Sequence, residues 1–305
     1  MITLKLIANL VPNKIARHKM RSAAKKYGIR TVATYASIKC HKTKPQYYFS
    51  ICAIAKNEGR YFPEWIEYHH ALGCEKFYIY DNESTDNTKA VLQAYIASGL
   101  VEYCFIAGKQ KQMAAYDNCL RRHRLKSRWI AFIDIDEFIV PMKNETIPEF
   151  LQDYEEFSAI EINWLCYGSN GQKERTAGFV IDRFRTHSLP EFNHNHHVKS
   201  IVNPRATLSL IGAHEAVCFS GKIVDSNKET VKQPFWLRPP LHNSIRINHY
   251  AVKSYEEFLE KRSRGRARKY KQRGLGYFDQ YDRNEVDNDS IMDKYVAKLQ
   301  LNLKT

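Results

Sequence analysis

Two aspartates that are one residue apart interrupt a strongly apolar segment of this chain. The segment is Trp129–Pro141, with the sequence WIAFIDIDEFIVP, and the two carboxylates belong to Asp134 and Asp136. Burying a charge is costly unless a partner neutralises it. If the segment is a strand, both carboxylates lie on the same face, because residues i and i+2 of a strand do. Divalent cations such as Mg²⁺ prefer oxygen ligands, so the pair predicts an enzyme site that holds a divalent cation with a phosphate-bearing ligand.

The segments on both sides of this pair alternate between strand and helix patterns. The predicted strands cover residues 48–55, 76–80, 100–106, 129–140 and 159–165, and the predicted helices cover 61–72, 87–97, 112–125 and 146–157. This alternation predicts an α/β protein with a doubly wound, mostly parallel sheet. A smaller mixed region follows at 168–250, and further helices are predicted at 254–268 and 291–301.

Polar clusters follow the first two predicted strands and lie within the fourth, and all three are expected at the edge where ligands bind in such sheets. The clusters are residues 56–58, 81–86 and 134–137. Ser84, Thr85 or Asp86 can cap the helix that follows the second cluster. Asp81 stands directly at the end of its strand, where a carboxylate can accept hydrogen bonds from a ribose or a base.

Positive charge is concentrated at the N-terminal end of the chain. The 305 residues carry a net charge of +14 and are 44% hydrophobic, which is typical of a globular protein. Residues 1–48 contain eleven Lys and Arg residues and no Asp or Glu. Such a segment suits an anionic partner, which can be nucleic acid, an acidic membrane surface or a phosphorylated glycolipid. The alternative is a solvated leader without a partner.

The sequence also predicts where the protein works. Its apolar start, 1–11, is too short to span a bilayer and does not have the pattern of a secretory signal peptide. The seven cysteines form no C-x-x-C pair, which indicates thiols in a reducing compartment and not a disulfide framework. We therefore predict a cytoplasmic protein, with residues 1–48 as a candidate for peripheral contact with the anionic inner face of a membrane.

Four blocks of sequence, in order along the chain, resemble glycosyltransferase family 92. The blocks are CAIAKNEGRYFPEWIEYHHALG, FYIYDNESTDNT, WIAFIDIDEFIVP and INHYAVKSYEEFLEKRSRGRA. The resemblance runs from about residue 49 to about residue 285. It implies a GT-A-type fold and a metal-dependent glycosyltransferase of the hexosyltransferase type, which moves a sugar from a nucleotide diphosphate-sugar to a glycan or glycolipid acceptor. The implied donor is a UDP-sugar, the implied cofactor is Mn²⁺ or Mg²⁺, and the expected setting is surface polysaccharide or lipopolysaccharide synthesis.

The resemblance also divides the chain into segments. A basic N-terminal segment at 1–47 precedes a glycosyltransferase domain at 48–285, and a C-terminal helix and tail follow at 286–305. Within the domain, 48–167 is the predicted nucleotide-sugar half, and 168–285 is the predicted acceptor half, a smaller C-terminal mixed region.

Family positions carried over to this sequence give a set of candidate site residues. The implied metal ligands are Asp134, Asp136 and His249, with His214 as the second choice for the histidine. The metal's role in such enzymes is to offset the charge that develops on the departing diphosphate. The implied donor-binding residues are Asn57, Glu58, Asp81, Asp86, Asp134, Lys253, Arg262 and Arg264.

The catalytic base is expected among the acidic residues, because an inverting transfer needs a group within hydrogen-bond reach of the acceptor hydroxyl. Glu161 and Glu215 are the chosen candidates, and Glu191 is a further one. A retaining mechanism stays open. Trp164 and Tyr167 are candidates for a sugar-stacking platform, although such aromatic side chains more often pack in a core.

Two other classes of protein are compatible with parts of the pattern. A basic nucleic-acid-binding protein would explain the charge, but the sequence has no RNP-like aromatics, helix-turn-helix signature or zinc-finger spacing. A sugar-nucleotide nucleotidyltransferase would share the sheet and the metal, but it needs a glycine-rich phosphate loop, and residues 53–60 contain one glycine. The preferred prediction is the glycosyltransferase, without a nucleic-acid partner.

Overall fold

The computed structural model of the chain describes residues 28, 38, 43–265, 273–287 and 289–302. The predictions for the basic segment at 1–48 therefore lie mostly outside the described residues, as does the end of the helix predicted at 254–268. Within the described ranges, no helix has the length and apolar character that crossing a membrane requires. The six cysteines in these ranges are free thiols.

Strands and helices alternate along the first half of the described chain. The strands are β1 Tyr47–Ala55, β2 Lys76–Asp81, β3 Val101–Phe105, β4 Ser127–Phe132, β5 Glu137–Pro141, β6 Ala159–Cys166, β7 Val198–Val202, β8 Thr207–Ile211, β9 Glu215–Cys218, β10 Ile223–Asp225 and β11 Ile245–His249. The α-helices are α1 Phe62–Ala71, α2 Thr88–Ala97, α3 Gln112–His123, α4 Ile147–Gln152, α5 Val180–Arg183, α6 Tyr255–Ser263, α7 Gly276–Tyr281 and α8 Asp293–Asn302. Short 3₁₀ helices cover Gly59–Tyr61, Asn193–His196, Phe235–Leu237 and Ser290–Met292.

In the described ranges, nine of the strands form one sheet, in the order β3-β2-β1-β4-β7-β6-β11-β5, with β10 paired to β6. Strands β3, β2, β1 and β4 are parallel to their neighbours in this series, as expected for a doubly wound sheet. Strand β7 is antiparallel to both β4 and β6, and β5 is antiparallel to β11. The predicted α/β class is confirmed, and the sheet is mixed because strands from the predicted acceptor half enter it.

Both faces of the parallel strands are covered. Along β1, Ile51 belongs to one hydrophobic core, whereas its neighbour Cys52 belongs to a second core. The first core takes Trp65 from α1, and the second takes Tyr116 from α3. This explains why β1 is apolar at consecutive positions, as strands buried on both faces are.

The segment that carries the two aspartates is not a single strand, so the prediction for 129–140 is wrong. β4 ends at Phe132 and β5 begins at Glu137, and in the turn between them Glu137 N donates to Asp134 O at 3.1 Å. β4 is parallel to β1, whereas β5 is antiparallel to β11, so the chain changes its neighbouring strand at this point. The two carboxylates consequently do not lie on one face of one strand.

Two helices are shorter than predicted, and capping side chains fix where they begin. Helix α4 follows Thr146, whose hydroxyl accepts a hydrogen bond from Glu149 N at 3.3 Å. Helix α6 follows Ser254, whose hydroxyl accepts one from Glu257 N at 3.2 Å. The predicted ends at 157 and 268 are wrong, because α4 ends at Gln152 and α6 at Ser263. The early end of α6 matters for the site, since the basic residues at its C-terminus reach the cleft described next.

Candidate active site

A cleft of about 800 Å³ lies at the carboxyl ends of the parallel strands. Side chains that follow each strand line it: Glu58 after β1, Glu83 after β2, Lys109 after β3, and Asp134 and Asp136 after β4. Open α/β sheets bind ligands at this edge, because the loops that follow neighbouring parallel strands converge there. The three polar clusters of the sequence therefore contribute to the same cleft.

Three buried side chains form a candidate metal site beside the cleft, which two of them, Asp136 and His249, line. Asp136, Glu137 and His249 each offer one ligand atom, and these atoms lie within 4.8 Å of one another. The pairing of strands explains the proximity, because Glu137 of β5 stands opposite His249 in the antiparallel register with β11. Glu137 Oε1 and His249 Nδ1 are buried and have no hydrogen-bond partner in the described part of the chain. Mn²⁺ can bind carboxylate oxygens together with one imidazole nitrogen, whereas Mg²⁺ prefers the carboxylate oxygens. The three residues therefore fit a divalent cation.

The protonation states of these groups depend on burial and on two lysines. Burial alone raises the pKa of Asp136, but the Lys261 ammonium and His249 beside it hold that pKa well below its usual range. The pKa of Glu137 is raised to about 8, chiefly by burial; Lys199 opposes the rise, and the carboxylates of Asp134 and Asp136 add to it. Burial lowers the pKa of His249, which favours the neutral imidazole that a metal needs.

Asp134 lies at the mouth of this group and has other partners. Its Oδ2 accepts a hydrogen bond from Lys199 Nζ at 2.8 Å, and its Oδ1 accepts one from Gln112 Nε2 at 3.2 Å. The Asp134 side chain is 34% exposed, whereas that of Lys199 is 1% exposed. Lys199 Nζ also lies 3.3 Å from Glu137 Oε2. The two aspartates of the motif are thus paired with different lysines, Asp134 with Lys199 and Asp136 with Lys261.

The loop after β1 meets the end of α6 across the cleft. Arg264 Nη1 donates to Asn57 O at 2.8 Å, and its Nη2 donates to Glu58 Oε1. Glu58 and Arg264 both line the cleft. Asn57 has a φ of +54° and bonds the following loop, since its Oδ1 accepts from Thr85 N at 2.7 Å. Of the predicted donor-binding residues, Glu58, Asp134 and Arg264 therefore line the cleft directly, and Asn57 shapes its edge.

Asp81 and Asp86 lie behind this edge and hold its loops. Asp81 Oδ1 accepts a hydrogen bond from Ser84 N at 2.9 Å, and its Oδ2 accepts one from the Tyr103 hydroxyl at 2.6 Å. Asp86 accepts hydrogen bonds from Thr88 N and Gly59 N, both at 3.0 Å. Neither aspartate is among the residues that line the cleft.

The basic residues of α6 and of the loops at its two ends divide into residues that line the cleft and residues that do not. Lys253 Nζ lies 4.3 Å from the centroid of the Tyr61 ring, and Arg262 Nε donates to Arg273 O at 2.9 Å. Neither Lys253 nor Arg262 lines the cleft, whereas Lys261 does. Lys261 Nζ donates to Asp136 Oδ2, and it donates to Ala251 O at 2.6 Å.

The candidate bases occupy different environments. Glu215, the first residue of β9, lines the cleft, and burial raises its pKa. Glu161 is buried on β6, where it accepts a hydrogen bond from Arg238, and it does not line the cleft. Burial raises the pKa of Glu161 to about 7, and Arg238 opposes that rise. Glu191 is exposed and lies outside the cleft lining.

Aromatic rings line another part of the cleft, which we call the aromatic wall. Its members are Trp164, His197, His214, Phe235 and Trp236. Trp164 stacks on His197 with ring centroids 4.8 Å apart and an interplanar angle of 13°. Trp236 is 58% exposed and packs edge-on against Phe235. Tyr167 is a core residue, whose hydroxyl donates to Asp289, and His214 Nδ1 lies 2.9 Å from Val198 O.

Four residues in or next to the cleft are not predicted as site residues from the sequence: Lys261 and Trp236 line it, whereas Glu137 and Lys199 contact Asp134 from behind the lining. Glu137 neighbours Asp136, but strand alternation places it on the opposite face. Lys199 could have been found, because a lysine within an apolar strand is unusual. Lys261 lies in a block that resembles the family, close to Arg262 and Arg264, which the resemblance predicts as donor-binding residues. Trp236 is in a loop with no signal that places it at the cleft.

The described chain thus combines an open α/β sheet with a cleft at its parallel edge and with buried carboxylates and a histidine beside it, and such a cleft is where α/β enzymes bind their ligands. The sequence model of glycosyltransferase family 92 matches residues 46–289. The chain therefore belongs to glycosyltransferase family 92, as its four blocks of sequence predict.

Relatives and solved structures are similar to the chain to different extents. A glycosyltransferase family 92 protein from Oryza sativa subsp. japonica is 28% identical over 238 residues, which are 75% of this chain and 37% of the relative. A galactan beta-1,4-galactosyltransferase from Arabidopsis thaliana is 31% identical over 125 residues, which are 35% of this chain and 25% of the relative. The solved structure of S. aureus TarS 1-349 is 12% identical, with a TM-score of 0.39 over 83% of this chain and 70% of that chain. The chain thus spans little more than a third of the rice relative.

Proposed function

We propose that this chain is a metal-dependent glycosyltransferase that transfers a sugar from a UDP-sugar to a glycan or glycolipid acceptor. The observation that supports the proposal is the group of Asp136, Glu137 and His249, whose ligand atoms lie within 4.8 Å of one another in the cleft region. Family membership supplies the reaction class. Because the Arabidopsis relative is a galactosyltransferase by name, UDP-galactose is the first donor to test, and a hexosyl group is the expected cargo.

The reaction exchanges one bond at the anomeric carbon of the donor sugar. The acceptor oxygen forms a bond to that carbon, the bond from the carbon to the diphosphate oxygen breaks, and UDP leaves with the electron pair. The acceptor proton passes to a base. Mn²⁺ or Mg²⁺, when bound by Asp136, Glu137 and His249, supplies positive charge for the leaving diphosphate. Lys261 and Arg264 present further positive charge at the same cleft.

Glu215 is our candidate for the base. Its carboxyl group lines the cleft, and its raised pKa favours the acceptance of a proton from the acceptor hydroxyl. Glu161 pairs with Arg238, which directly follows the 3₁₀ helix that carries Trp236. We therefore assign Glu161 to anchoring the aromatic wall, which we propose as the acceptor side of the cleft.

Donor recognition is proposed for the opposite end of the cleft. Asp134 is proposed to contact the ribose or the metal through the exposed part of its carboxylate, beside its hydrogen bonds with Lys199 and Gln112. Arg264 and Glu58 are proposed to meet the nucleotide, whereas Asn57, Asp81 and Asp86 act by holding the loops.

Several wider predictions from the sequence belong to the same proposal. They are the division into a donor half at 48–167 and an acceptor half at 168–285, a cytoplasmic location, contact of residues 1–48 with an anionic membrane, and a role in surface polysaccharide or lipopolysaccharide synthesis. The composition of 1–48, with eleven basic residues and no acidic one, supports the membrane contact.

The proposal is tested with the purified chain and a panel of UDP-sugars. We expect release of UDP from UDP-galactose, or from another UDP-hexose, in the presence of Mn²⁺ or Mg²⁺, and loss of that release with EDTA. Asp136→Asn should abolish it. The matched control is Asp153→Asn, which makes the same change at a side chain that is 73% exposed and pairs only at 3.8 Å with Lys228.

Two results would contradict the proposal in different ways. Full UDP release in EDTA, or from Asp136→Asn, would remove the metal from the reaction. Release of pyrophosphate from a nucleoside triphosphate and a sugar phosphate, without turnover of any UDP-sugar, would identify a nucleotidyltransferase instead.

A further inference from the structure

Lys261 occupies the position beside Asp136 that a bound cation would need. Its side chain extends from the last turn of α6, is 8% exposed, and contacts Asp136 Oδ2 and Ala251 O. Buried lysines require partners of this kind, because removing an ammonium group from water is costly. Asp136 also belongs to the group that fits a divalent cation, and His249 Nε2 lies 3.8 Å from the same Oδ2.

Lysine and arginine side chains neutralise the carboxylates of this edge without any metal. The pairs are Lys199 with Asp134 and Glu137, Lys261 with Asp136, and Arg264 with Glu58. A divalent cation that joined Asp136 with Lys261 still in place would put two positive charges on one buried carboxylate. Like charges at such distances repel strongly where water is excluded. The two cations therefore compete for Asp136.

A diphosphate in the cleft offers Lys261 an alternative partner. Lys261 lines the cleft together with Arg264, three residues further along the chain. A lysine carries a compact charge on a flexible stem, so it can exchange one anion for another without movement of its helix. The ammonium can then bond phosphate oxygens while Asp136 binds the metal.

We propose that Lys261 makes metal binding depend on the donor: its ammonium holds Asp136 while the cleft is empty, and it passes to the donor diphosphate when the metal takes Asp136. This proposal rests on the proposed function and goes beyond it, because it assigns the order in which the charges are exchanged. Coupling between two ligands is reciprocal, so UDP should tighten Mn²⁺ binding by the same factor by which Mn²⁺ tightens UDP binding.

The test measures Mn²⁺ binding by calorimetry, with and without UDP, for the wild type, Lys261→Gln and Lys261→Arg. Lys261→Gln should bind Mn²⁺ alone about tenfold more tightly than the wild type, because the competing charged hydrogen bond is lost. The factor by which UDP tightens Mn²⁺ binding should shrink accordingly. Lys261→Arg keeps the charge and should bind Mn²⁺ alone as weakly as the wild type does.

Lys253→Gln is the matched control. Lys253 is also buried and its charge acts on Asp136 from a distance, but its ammonium lies against the Tyr61 ring and does not contact the carboxylate. The affinity of the Lys253→Gln variant for Mn²⁺ alone should stay within about threefold of that of the wild type, since only a distant charge is removed. An equal gain in Lys253→Gln and Lys261→Gln would overturn the proposal in favour of general electrostatics.

The outcome for Lys261 is separable from that for the proposed function. If the wild type binds neither Mn²⁺ nor UDP, the proposed function fails. If the wild type binds both and Lys261→Gln binds Mn²⁺ alone with unchanged or lower affinity, only the role of Lys261 fails. Should Lys261→Gln not fold, acetic anhydride labelling of the wild type decides: we expect Mn²⁺ alone to increase labelling of Lys261 and UDP to reverse the increase, and unchanged labelling overturns the proposal.

Discussion

The cleft has two walls that are built on different principles. The charged wall consists of the lining residues Asp134, Asp136, His249, Lys261 and Arg264 together with Glu137 and Lys199, which lie behind the lining and contact Asp134, and the aromatic wall is the set of rings defined above. Most charged groups are buried and paired, whereas the aromatic wall ends in a Trp236 ring that is 58% exposed. The walls meet where Trp164 contacts His249, with ring centroids 4.1 Å apart.

The difference indicates two kinds of recognition. Buried charges that are held in place before the ligand arrives can stabilise a developing charge without reorganisation, which is how enzymes handle leaving groups. An exposed aromatic ring gains free energy when an apolar face of a ligand covers it. The charged wall therefore suits a diphosphate, and the aromatic wall suits a sugar ring of the acceptor.

After Asp136→Asn, the largest effect is expected from Glu137→Gln in the charged wall. The substitution keeps the size of the side chain and an acceptor for Asp134 N, but it removes the carboxyl group that can ionise to bind the metal. We expect Mn²⁺ affinity to fall at least about 100-fold, compared with about tenfold for Asp134→Asn, which changes a residue outside the group of three. Calorimetric titration with Mn²⁺ in the presence of UDP measures both.

The control for this comparison is the far-UV circular dichroism and unfolding midpoint of both variants, which should match the wild type. If Asp134→Asn costs more Mn²⁺ affinity than Glu137→Gln, the metal is held by the two aspartates of the motif and not by the group that includes Glu137.

The charged wall shows how far the sequence predicts a site and where it stops. Asp136 and its apolar neighbours are adjacent in the chain, so a local pattern reveals them. The role of Glu137 depends on the change of neighbouring strand between β4 and β5, which reverses the side to which it points. That change is set by pairing with β11, more than 100 residues later. An interpretation of residues 129–140 as one strand cannot predict this change of neighbouring strand.

The second effect in size separates the two candidate bases. Glu215→Gln should lower the rate of transfer about 100-fold or more, because general base catalysis contributes at least that factor. Its affinity for UDP and Mn²⁺ should not change, since Glu215 belongs to no ion pair of the charged wall within the described residues. The measurement is kcat for transfer to an acceptor, with UDP-galactose saturating.

Glu161→Gln is the matched variant, because it makes the same chemical change at a glutamate that does not line the cleft. It should retain most of the rate. A loss confined to Glu161→Gln would reassign the base to β6.

The aromatic wall could not be predicted from the sequence as a unit. Trp164 is on β6, His197 precedes β7, and Trp236 is in a 3₁₀ helix, so only the tertiary fold brings them together. The sequence predicts Trp164 as part of a sugar-stacking platform, but the partner that it predicts for Trp164 is Tyr167, which lies in the core. Successive side chains of a strand point to opposite faces. Trp164 and Tyr167 are three positions apart, so their rings point to opposite sides.

A smaller effect is expected from Trp236→Ala, which shortens the aromatic wall. The KM for the acceptor should rise about tenfold, in line with the stacking and burial that one ring contributes. UDP release by hydrolysis of the donor in the absence of acceptor should not change. The matched control is Phe105→Ala, at an aromatic side chain that is 62% exposed and outside the cleft lining. A rise in the KM for UDP-galactose in place of the acceptor would move the donor sugar to this wall.

The smallest effect on catalysis is expected from the anchor behind the aromatic wall. The pKa of Glu161 in the folded protein is about 7, raised by burial from the ordinary value of 4.5. Between these values the unfolded chain binds fewer protons at this group than the folded protein does, so the free energy of unfolding falls as the pH rises from about 4.5 to about 7. The loss is at most about 3 kcal/mol.

Glu161→Gln removes the titration of this carboxyl group, so urea unfolding midpoints at pH 5, 6 and 7 should decline more steeply in the wild type than in the variant. An equal decline in both would mean that Arg238 keeps Glu161 ionised throughout, and that the aromatic wall is fixed by a full ion pair, as the charged wall is.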